Sequence, residues 1–74
     1  MIGIKEKLRI FMELFGDTLT ELADALDISY QSVSKKINGH TDFKLTELKI
    51  IKDRYNLTAE EMDYIFFNDE INSI

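Results

Sequence analysis

Apolar residues recur along this 74-residue chain at spacings of three and four, the period of a helix that buries one face. In the first part of the chain this spacing predicts a helix over residues 3–15, which Gly16 and Asp17 close. Its apolar stripe consists of Ile4, Leu8, Phe11 and Phe15, with Leu14 widening it.

The stretch from Thr18 to Gly39, TLTELADALDISYQSVSKKING, predicts two short helices around one tight turn. Thr18 is followed three residues later by Glu21, the spacing of a capping box, so Thr18 is the predicted N-cap. The buried stripe of the first helix is Leu19, Leu22, Ala23 and Leu26, and small Ala23 permits close approach of the next helix. Asp27, Ile28 and Ser29 make the turn, with Ile28 pointing inward and the Ser29 hydroxyl capping the second helix.

The second helix of this pair begins at Tyr30 and turns Val33 and Ile37 inward. Its outward residues are Tyr30, Gln31, Ser34, Lys35 and Asn38. Asn38 and Gly39 end it, since both tolerate the left-handed conformation. Two helices joined in this way form a helix-turn-helix at residues 18–38, for which DNA binding is the natural interpretation.

The rest of the chain predicts two more helices. The connector GHTDFK joins the helix-turn-helix to the fourth helix, and its Phe43 is expected to pack into the core. A second capping box, Thr58 with Glu61, begins the last helix. The fourth helix presents Leu45, Leu48, Ile51 and Tyr55 on one face. The last helix carries Met62, Ile65, Phe66 and Phe67, with Tyr64 beside them. Four successive large side chains, 64–67, cannot all enter one small core, so some are expected at the surface or under a second chain.

These residues resemble the Cro and repressor type (XRE-like) of helix-turn-helix, which places one helix before the motif and two after it. Within it, the segment INGHTDFKLTELKIIKDRYNLTAEEMDYIFF is most similar to small phage Cro-like regulators. The resemblance implies an all-α, five-helix, lambda-repressor-like DNA-binding domain spanning residues 1–74, with 68–74 a C-terminal tail available for dimerisation.

The chain departs from the family pattern at three positions. Asp27 stands where Gly is usual and is therefore expected to adopt a positive φ. Lys36 occupies a common buried aliphatic position, with the apolar residue one later as Ile37, which leaves the orientation of the last turn open. Leu19 replaces a Gln that several relatives use to hold a phosphate, so one anchoring contact is missing.

The resemblance implies the DNA contacts position by position. The base-reading residues are Tyr30, Gln31, Ser34 and Lys35, of which Gln31 suits adenine and Lys35 suits guanine. The phosphate-binding residues are Thr18, Ser29, Lys36, Asn38 and Lys44. Lys5 and Arg9 are further candidates for flanking backbone contacts, which the sequence does not fix.

Some of these positions have alternative interpretations. Tyr30 either touches a base or covers the first turn of its helix. Lys35 and Lys36 either contact DNA, at a base and a phosphate respectively, or form an ordinary solvated helix end that favours the helix dipole. Ser29 is a helix cap on either interpretation. His40 is the single His and the chain has no Cys, so no metal site and no cofactor is expected.

The net charge of the chain is −5, whereas nucleic-acid-binding domains usually carry a positive net charge. The positive and negative charges are, however, concentrated in different segments of the chain. Residues 1–10 carry +2 and residues 29–56 carry +3, while residues 11–28 and 57–74 carry −5 each. Positive charge thus gathers on the second motif helix, the connector after it and the N-terminus. With no Cys and no Pro, the fold rests on apolar packing in a small and marginally stable domain.

The sequence therefore predicts a transcriptional regulator, a phage or prophage Cro-like repressor that binds an inverted-repeat operator in double-stranded DNA as a homodimer. Phe67, Ile71 and Ile74 are the predicted dimer contacts. The alternative is a protein-interaction module on the same fold, an antirepressor or antitoxin-like partner whose acidic surface docks a protein. An enzyme is not expected, because the sequence contains no recognisable nucleophile-and-base pair and no phosphate loop. No small-molecule effector and no membrane partner is expected, and the expected location is the cytoplasm.

Overall fold

The structure is a computed structural model that describes residues 3–67. These residues form five α-helices and no strand, which confirms the predicted all-α, lambda-repressor-like class. In chain order the helices are α1 (Ile4–Leu14), α2 (Leu19–Leu26), α3 (Tyr30–Ile37), α4 (Leu45–Arg54) and α5 (Ala59–Phe66).

One apolar core lies between the five helices. Helix α2 packs on α3 and α4, and α1 packs on α5. The core residues are Leu8, Met12, Leu22, Ala23, Leu26, Val33, Ile37, Ile51, Tyr55, Leu57, Met62 and Ile65. Every helix contributes to this cluster, so the position of α3 depends on apolar contacts that run through the whole domain.

The buried face of α1 is rotated from the predicted one. Leu8 is fully buried, as expected, but Met12 and Lys7 are buried with it and Leu14 is 74% exposed. Lys7 Nζ donates to the Tyr64 carbonyl oxygen at 3.0 Å and lies 4.8 Å from the centroid of the Tyr64 ring. The amine therefore caps the last turn of α5, a long-range contact that moves the buried stripe toward α5 and leaves Leu14 outside it.

Four of the helices end in one backbone motif, in which a residue of positive φ follows the helix. These residues are Gly16 (63°), Asp27 (58°), Gly39 (84°) and Asn56 (52°). In each case the next amide donates to a carbonyl five residues earlier, at 2.8–3.1 Å, which is the Schellman pattern. Asp27 thus adopts the predicted positive φ, whereas Asn38 keeps a φ of −86° and leaves the left-handed position after α3 to Gly39.

Helix α4 also differs from its predicted face. Ile51 and Tyr55 are buried and Leu48 is partly buried, but Leu45 is 67% exposed. Glu47 is buried instead, because its carboxylate accepts the Lys44 amide and the Lys36 amine. The first turn of α4 therefore faces α3 with a charged residue rather than an apolar one.

The four large side chains of residues 64–67 divide between core and surface, as predicted. Ile65 is buried and Phe66 is partly buried against Phe43, with ring centroids 5.6 Å apart. Phe67 is 55% exposed and Tyr64 is 41% exposed. Ile71 and Ile74, the other predicted dimer contacts, lie outside the described residues, as does the tail 68–74 to which they belong.

Candidate nucleic-acid interface

The helix-turn-helix lies at the predicted residues. Thr18 Oγ1 accepts the Glu21 amide at 3.1 Å and Glu21 Oε1 accepts the Thr18 amide at 2.9 Å, so the capping box is complete. Ala23 is 3% exposed in the contact of α2 with α3 and α4, where its small side chain allows the helices to approach. Ile28 packs partly buried against the core and fixes the turn between α2 and α3.

Helix α3 presents a polar face to solvent while Val33 and Ile37 anchor its other side in the core. Tyr30 is 53% exposed, Gln31 and Lys35 are exposed, and Ser34 is half-buried. These four residues, the predicted base readers, follow the helical period and therefore lie on one side of α3. We call the side formed by Tyr30, Gln31, Ser34 and Lys35 the reading face.

The N-terminus of α3 is capped by the side chain of Ser29. Ser29 Oγ accepts the Ser32 amide at 3.1 Å and donates to Ser32 Oγ at 3.1 Å, which confirms the predicted N-cap. The amides of Tyr30 and Gln31 belong to the first helical turn, whose donors have no acceptor within the helix. A phosphate placed beside Ser29 would meet these donors and the positive end of the helix dipole.

Two further predicted phosphate contacts, Thr18 and Asn38, are engaged in local hydrogen bonds like Ser29. Asn38 Nδ2 donates to the Ser34 carbonyl oxygen at 2.8 Å at the end of α3, and the Asn38 side chain stays exposed beside the reading face. Thr18 Oγ1 donates to Glu21 Oε1 at 3.0 Å. A phosphate at Thr18 would therefore lie close to a carboxylate, which makes this position electrostatically poorer than Ser29 or Asn38.

Lys36 does not lie on the reading face. Its Nζ is 2.6 Å from Glu47 Oε1, and the two side chains are 12% and 6% exposed. The interpretation of Lys36 as a solvated helix end is therefore wrong, because the neighbouring α4 supplies a carboxylate within reach. A phosphate contact by Lys36 requires the amine to leave Glu47, so the geometry favours an internal role for it.

The basic residues around α3 come from separate parts of the chain. Lys35 lies on α3 and Lys44 lies exposed at the start of α4. Lys5 and Arg9 of α1 line an open groove of about 400 Å³ with Tyr30, Ser34 and Asn38. The groove also contains the carboxylates of Glu13 and Asp17, and Arg9 Nε lies 3.6 Å from Glu13 Oε2. The structure thus brings α1 cations beside the reading face but pairs one of them with an acid.

A second polar cluster lies where the α1–α2 corner meets the end of α4. Asp17 accepts two hydrogen bonds from Arg54, from Nε and Nη2, both at 2.7 Å, and a third from the Tyr55 hydroxyl. Donation from Arg54 holds the pKa of Asp17 below its ordinary value, although burial acts in the opposite direction. Burial, together with donation to Asp17, raises the pKa of Tyr55. The cluster fixes the residue that immediately precedes the N-cap of α2.

Glu47 is in a comparable electrostatic position. Burial alone would raise its pKa, but hydrogen bonds from Lys36 and from the Lys44 amide outweigh this, and its pKa lies below the ordinary value. Sequence reasoning missed both Glu47 and the Asp17–Arg54–Tyr55 cluster. The only local signal was the three-residue spacing between Lys44 and Glu47, which lacks the Ser or Thr of an ordinary capping box.

Among residues 3–67, no three His, Cys, Asp or Glu side chains are grouped so that they could hold a metal ion. None of the helices in that range is long and apolar enough to cross a membrane.

Comparison with known proteins assigns the family. The model of a helix-turn-helix family matches residues 8–62, from the first core residue of α1 to the middle of α5. No curated protein and no solved structure matches the chain. Since the family match covers most of the chain and includes the whole of α2, the turn and α3, this protein belongs to the helix-turn-helix family of DNA-binding transcription regulators of the Cro and repressor (XRE) type.

Proposed function

We propose that this regulator is a Cro-like repressor of a phage or prophage, which binds an inverted-repeat operator as a homodimer and thereby blocks transcription. The observation that carries the proposal is the reading face, exposed on a helix whose opposite side is anchored in the core by Val33 and Ile37. The N-terminal residues of such a helix enter the major groove, where the four base pairs differ in their donors and acceptors.

Each part of the reading face has a defined chemistry. The amide of Gln31 can pair with adenine through two hydrogen bonds, and the amine of Lys35 can donate to guanine O6 and N7. Ser34 can donate or accept, and Tyr30 offers its ring to a thymine methyl group. On either side, Ser29 with the first amides of α3, Asn38 and Lys44 hold phosphates and set the register.

Dimerisation supplies the specificity that one short helix lacks, because two half-sites about one helical turn apart double the number of bases read. The support is an exposed apolar surface at the end of α5. Phe67 is 55% exposed and lines an apolar groove between α4 and α5 together with Leu45, which is 67% exposed. We assign Phe67 to the dimer contact, together with Ile71 and Ile74 beyond the described residues.

The first experiment is selection from a random duplex DNA pool with the purified protein, at low salt. An enriched inverted repeat is the expected result, and its spacing gives the distance between the two reading faces. A single short motif would retain DNA reading and remove the dimer. No enrichment would overturn the proposal in favour of the protein-interaction module, for which the acidic segments would be the place to look.

Lys35→Ala tests the reading face directly. It is expected to weaken binding to the selected site by about 1–3 kcal/mol, because one base contact is lost. The matched control is an unrelated duplex of the same length, on which binding depends on phosphate charge rather than on base contacts. Equal losses on the two duplexes would mean that only net charge matters and would remove Lys35 from the reading face.

The oligomeric state is measured by sedimentation, free and on the selected DNA. Phe67→Ala is expected to weaken the dimer and, through it, operator binding. A parent protein that stays monomeric in both conditions contradicts this part of the proposal. Because a repressor acts where its operator is, we place the protein in the cytoplasm of the bacterial or phage-infected cell, with its abundance rather than a small molecule as the means of control.

A further inference from the structure

The strongest unassigned feature is the ion pair that joins the last turn of α3 to the first turn of α4. Lys36 Nζ lies 2.6 Å from Glu47 Oε1, and the same oxygen accepts the Lys44 amide at 2.8 Å. One carboxylate oxygen therefore connects α3, the connector residue Lys44 and α4. The Lys36 and Glu47 side chains are 12% and 6% exposed, so solvent screens this contact little.

The backbone at this point explains why Lys36 turns toward α4. The His40 amide donates to the Lys35 carbonyl at 2.9 Å and the Gly39 amide donates to the Lys36 carbonyl at 3.1 Å, which ends α3 in a Schellman motif. Ile37 enters the core at 4% exposure. With Ile37 fixed inward, the helical period turns Lys36 to the side of α3 that faces α4 and leaves Lys35 on the reading face.

We propose that Lys36 and Glu47 are positioning residues for DNA reading, which set the angle of the last turn of α3 against α4, and that Lys36 does not bind phosphate. This rests on the proposed function, since it assumes that α3 reads DNA. Because Lys36 lies in the same turn of α3 as Lys35 and Asn38, the pair fixes the position of that turn. Glu47 also accepts the backbone amide of Lys44, a proposed phosphate contact, and so fixes its position too. The hydrogen bonds of this ion pair are directional, so they restrict the angle between α3 and α4.

The charges of the two residues give the test its direction. Glu47 is acidic and lies beside Lys44, so a purely electrostatic view predicts that removing its charge strengthens DNA binding. The positioning role predicts the opposite result. The salt dependence of DNA binding separates Lys36 from a phosphate-binding lysine such as Lys44. A lysine that neutralises a phosphate contributes about 0.9 to the slope of log affinity against log salt, whereas a lysine paired with Glu47 should contribute nothing to it.

The experiment compares Lys36→Met, Glu47→Gln, the double variant and the control Lys44→Met. For each variant it measures the affinity for the selected site, the salt slope of that affinity and the free energy of unfolding in urea. Lys36→Met and Glu47→Gln are each expected to bind about tenfold more weakly with an unchanged salt slope. The double variant is expected to bind no more weakly than the poorer single variant, because both changes remove one interaction. Lys44→Met is expected to reduce the slope by about 0.9. A reduced slope for Lys36→Met, or tighter binding by Glu47→Gln, overturns the proposal.

A second measurement does not depend on DNA. Hydrogen exchange of the Gly39, His40 and Lys44 amides is expected to become faster in Lys36→Met, while the amides in the middle of α1 keep their rates. In the same variant the pKa of the Glu47 carboxyl is expected to rise toward its ordinary value. A parent protein without specific DNA binding would remove the proposed function, and unchanged exchange at Gly39, His40 and Lys44 would remove the positioning role.

Discussion

The two ends of α4 each form an ion pair with another part of the domain, one within the helix-turn-helix and one with the residue just before it. At the N-terminal end, Glu47 binds Lys36 in the last turn of α3. At the C-terminal end, Arg54 and Tyr55 bind Asp17, the residue before the N-cap of α2. Both contacts place a buried carboxylate between helices. We call them the Glu47 contact and the Asp17 contact.

The two contacts differ in the part of the domain that they fix and in their number of hydrogen bonds. The Glu47 contact touches the helix that reads DNA, and it consists of one amine and one amide on a single oxygen. The Asp17 contact is bidentate, receives a third hydrogen bond from a buried tyrosine, and holds a corner of the scaffold. We therefore expect the Asp17 contact to govern stability and the Glu47 contact to govern DNA binding. Asp17→Ala and acid test these two contacts, and changes at Gly39 and Leu45 test positions close to the Glu47 contact.

Asp17→Ala is expected to have the largest effect. It leaves the Tyr55 hydroxyl and the partly buried Arg54 guanidinium without their acceptor, at a cost of about 2–3 kcal/mol in the free energy of unfolding. Urea unfolding measures it. Asp53→Ala, an exposed acid on the same turn of α4, is the control and should change little. Asp17→Asn provides a milder variant if Asp17→Ala does not fold, and a loss no greater than that of Asp53→Ala would show that the Asp17 contact is dispensable.

Acid is expected to weaken both contacts. The pKa values of Asp17 and Glu47 are lowered in the folded state, so each carboxylate contributes stability that is present above its unfolded pKa, 3.8 and 4.5 respectively. That contribution is lost as the pH falls below these values through the folded pKa. Thermal unfolding from pH 7 to pH 3 measures it. Asp17→Asn and Glu47→Gln should each flatten the fall, and an unchanged pH profile in both would mean that other carboxylates cause it.

Gly39→Ala separates backbone strain from side-chain contacts at the end of α3. The position has a φ of 84° with no atom within 4 Å of an added Cβ, so the loss comes from conformation alone. We expect about 1–2 kcal/mol of destabilisation. The complementary change is Asp27→Gly, which relieves the strained position before α3 and should be neutral or slightly stabilising. Destabilisation by Asp27→Gly would indicate that the Asp side chain itself contributes to the turn.

Leu45→Ala is expected to have the smallest effect. Leu45 begins α4 only two residues before Glu47, yet it is 67% exposed, so its truncation should change monomer stability by less than about 0.5 kcal/mol. Urea unfolding at low protein concentration measures this. A loss that grows with protein concentration would place Leu45 in the dimer contact, and a large loss at every concentration would show that Leu45 is packed within one chain.

The sequence predicted well wherever the signal is local. The Thr18–Glu21 and Thr58–Glu61 capping boxes and the Ser29 cap depend on residues a few positions apart, and all are present. The positive φ of Asp27, which the family resemblance implied, is also present. The errors concern Leu14, Phe15, Leu45 and Lys36, and Phe15 is 55% exposed although it was assigned to the buried stripe of α1. At each of these positions a partner distant in the sequence, or its absence, changed which side of the helix is buried.

The sequence by itself therefore determined the five helices, the N-caps of α2, α3 and α5 and the outward position of the reading face, because helix period and capping are encoded within a few residues. Only the tertiary structure decided that Asp17 meets Arg54 thirty-seven residues away and that Lys36 meets Glu47 eleven residues away. An ion pair has no periodic signature, since each charged residue looks alike on a solvated face or in a pair. It becomes specific only when the apolar core has brought two helices together.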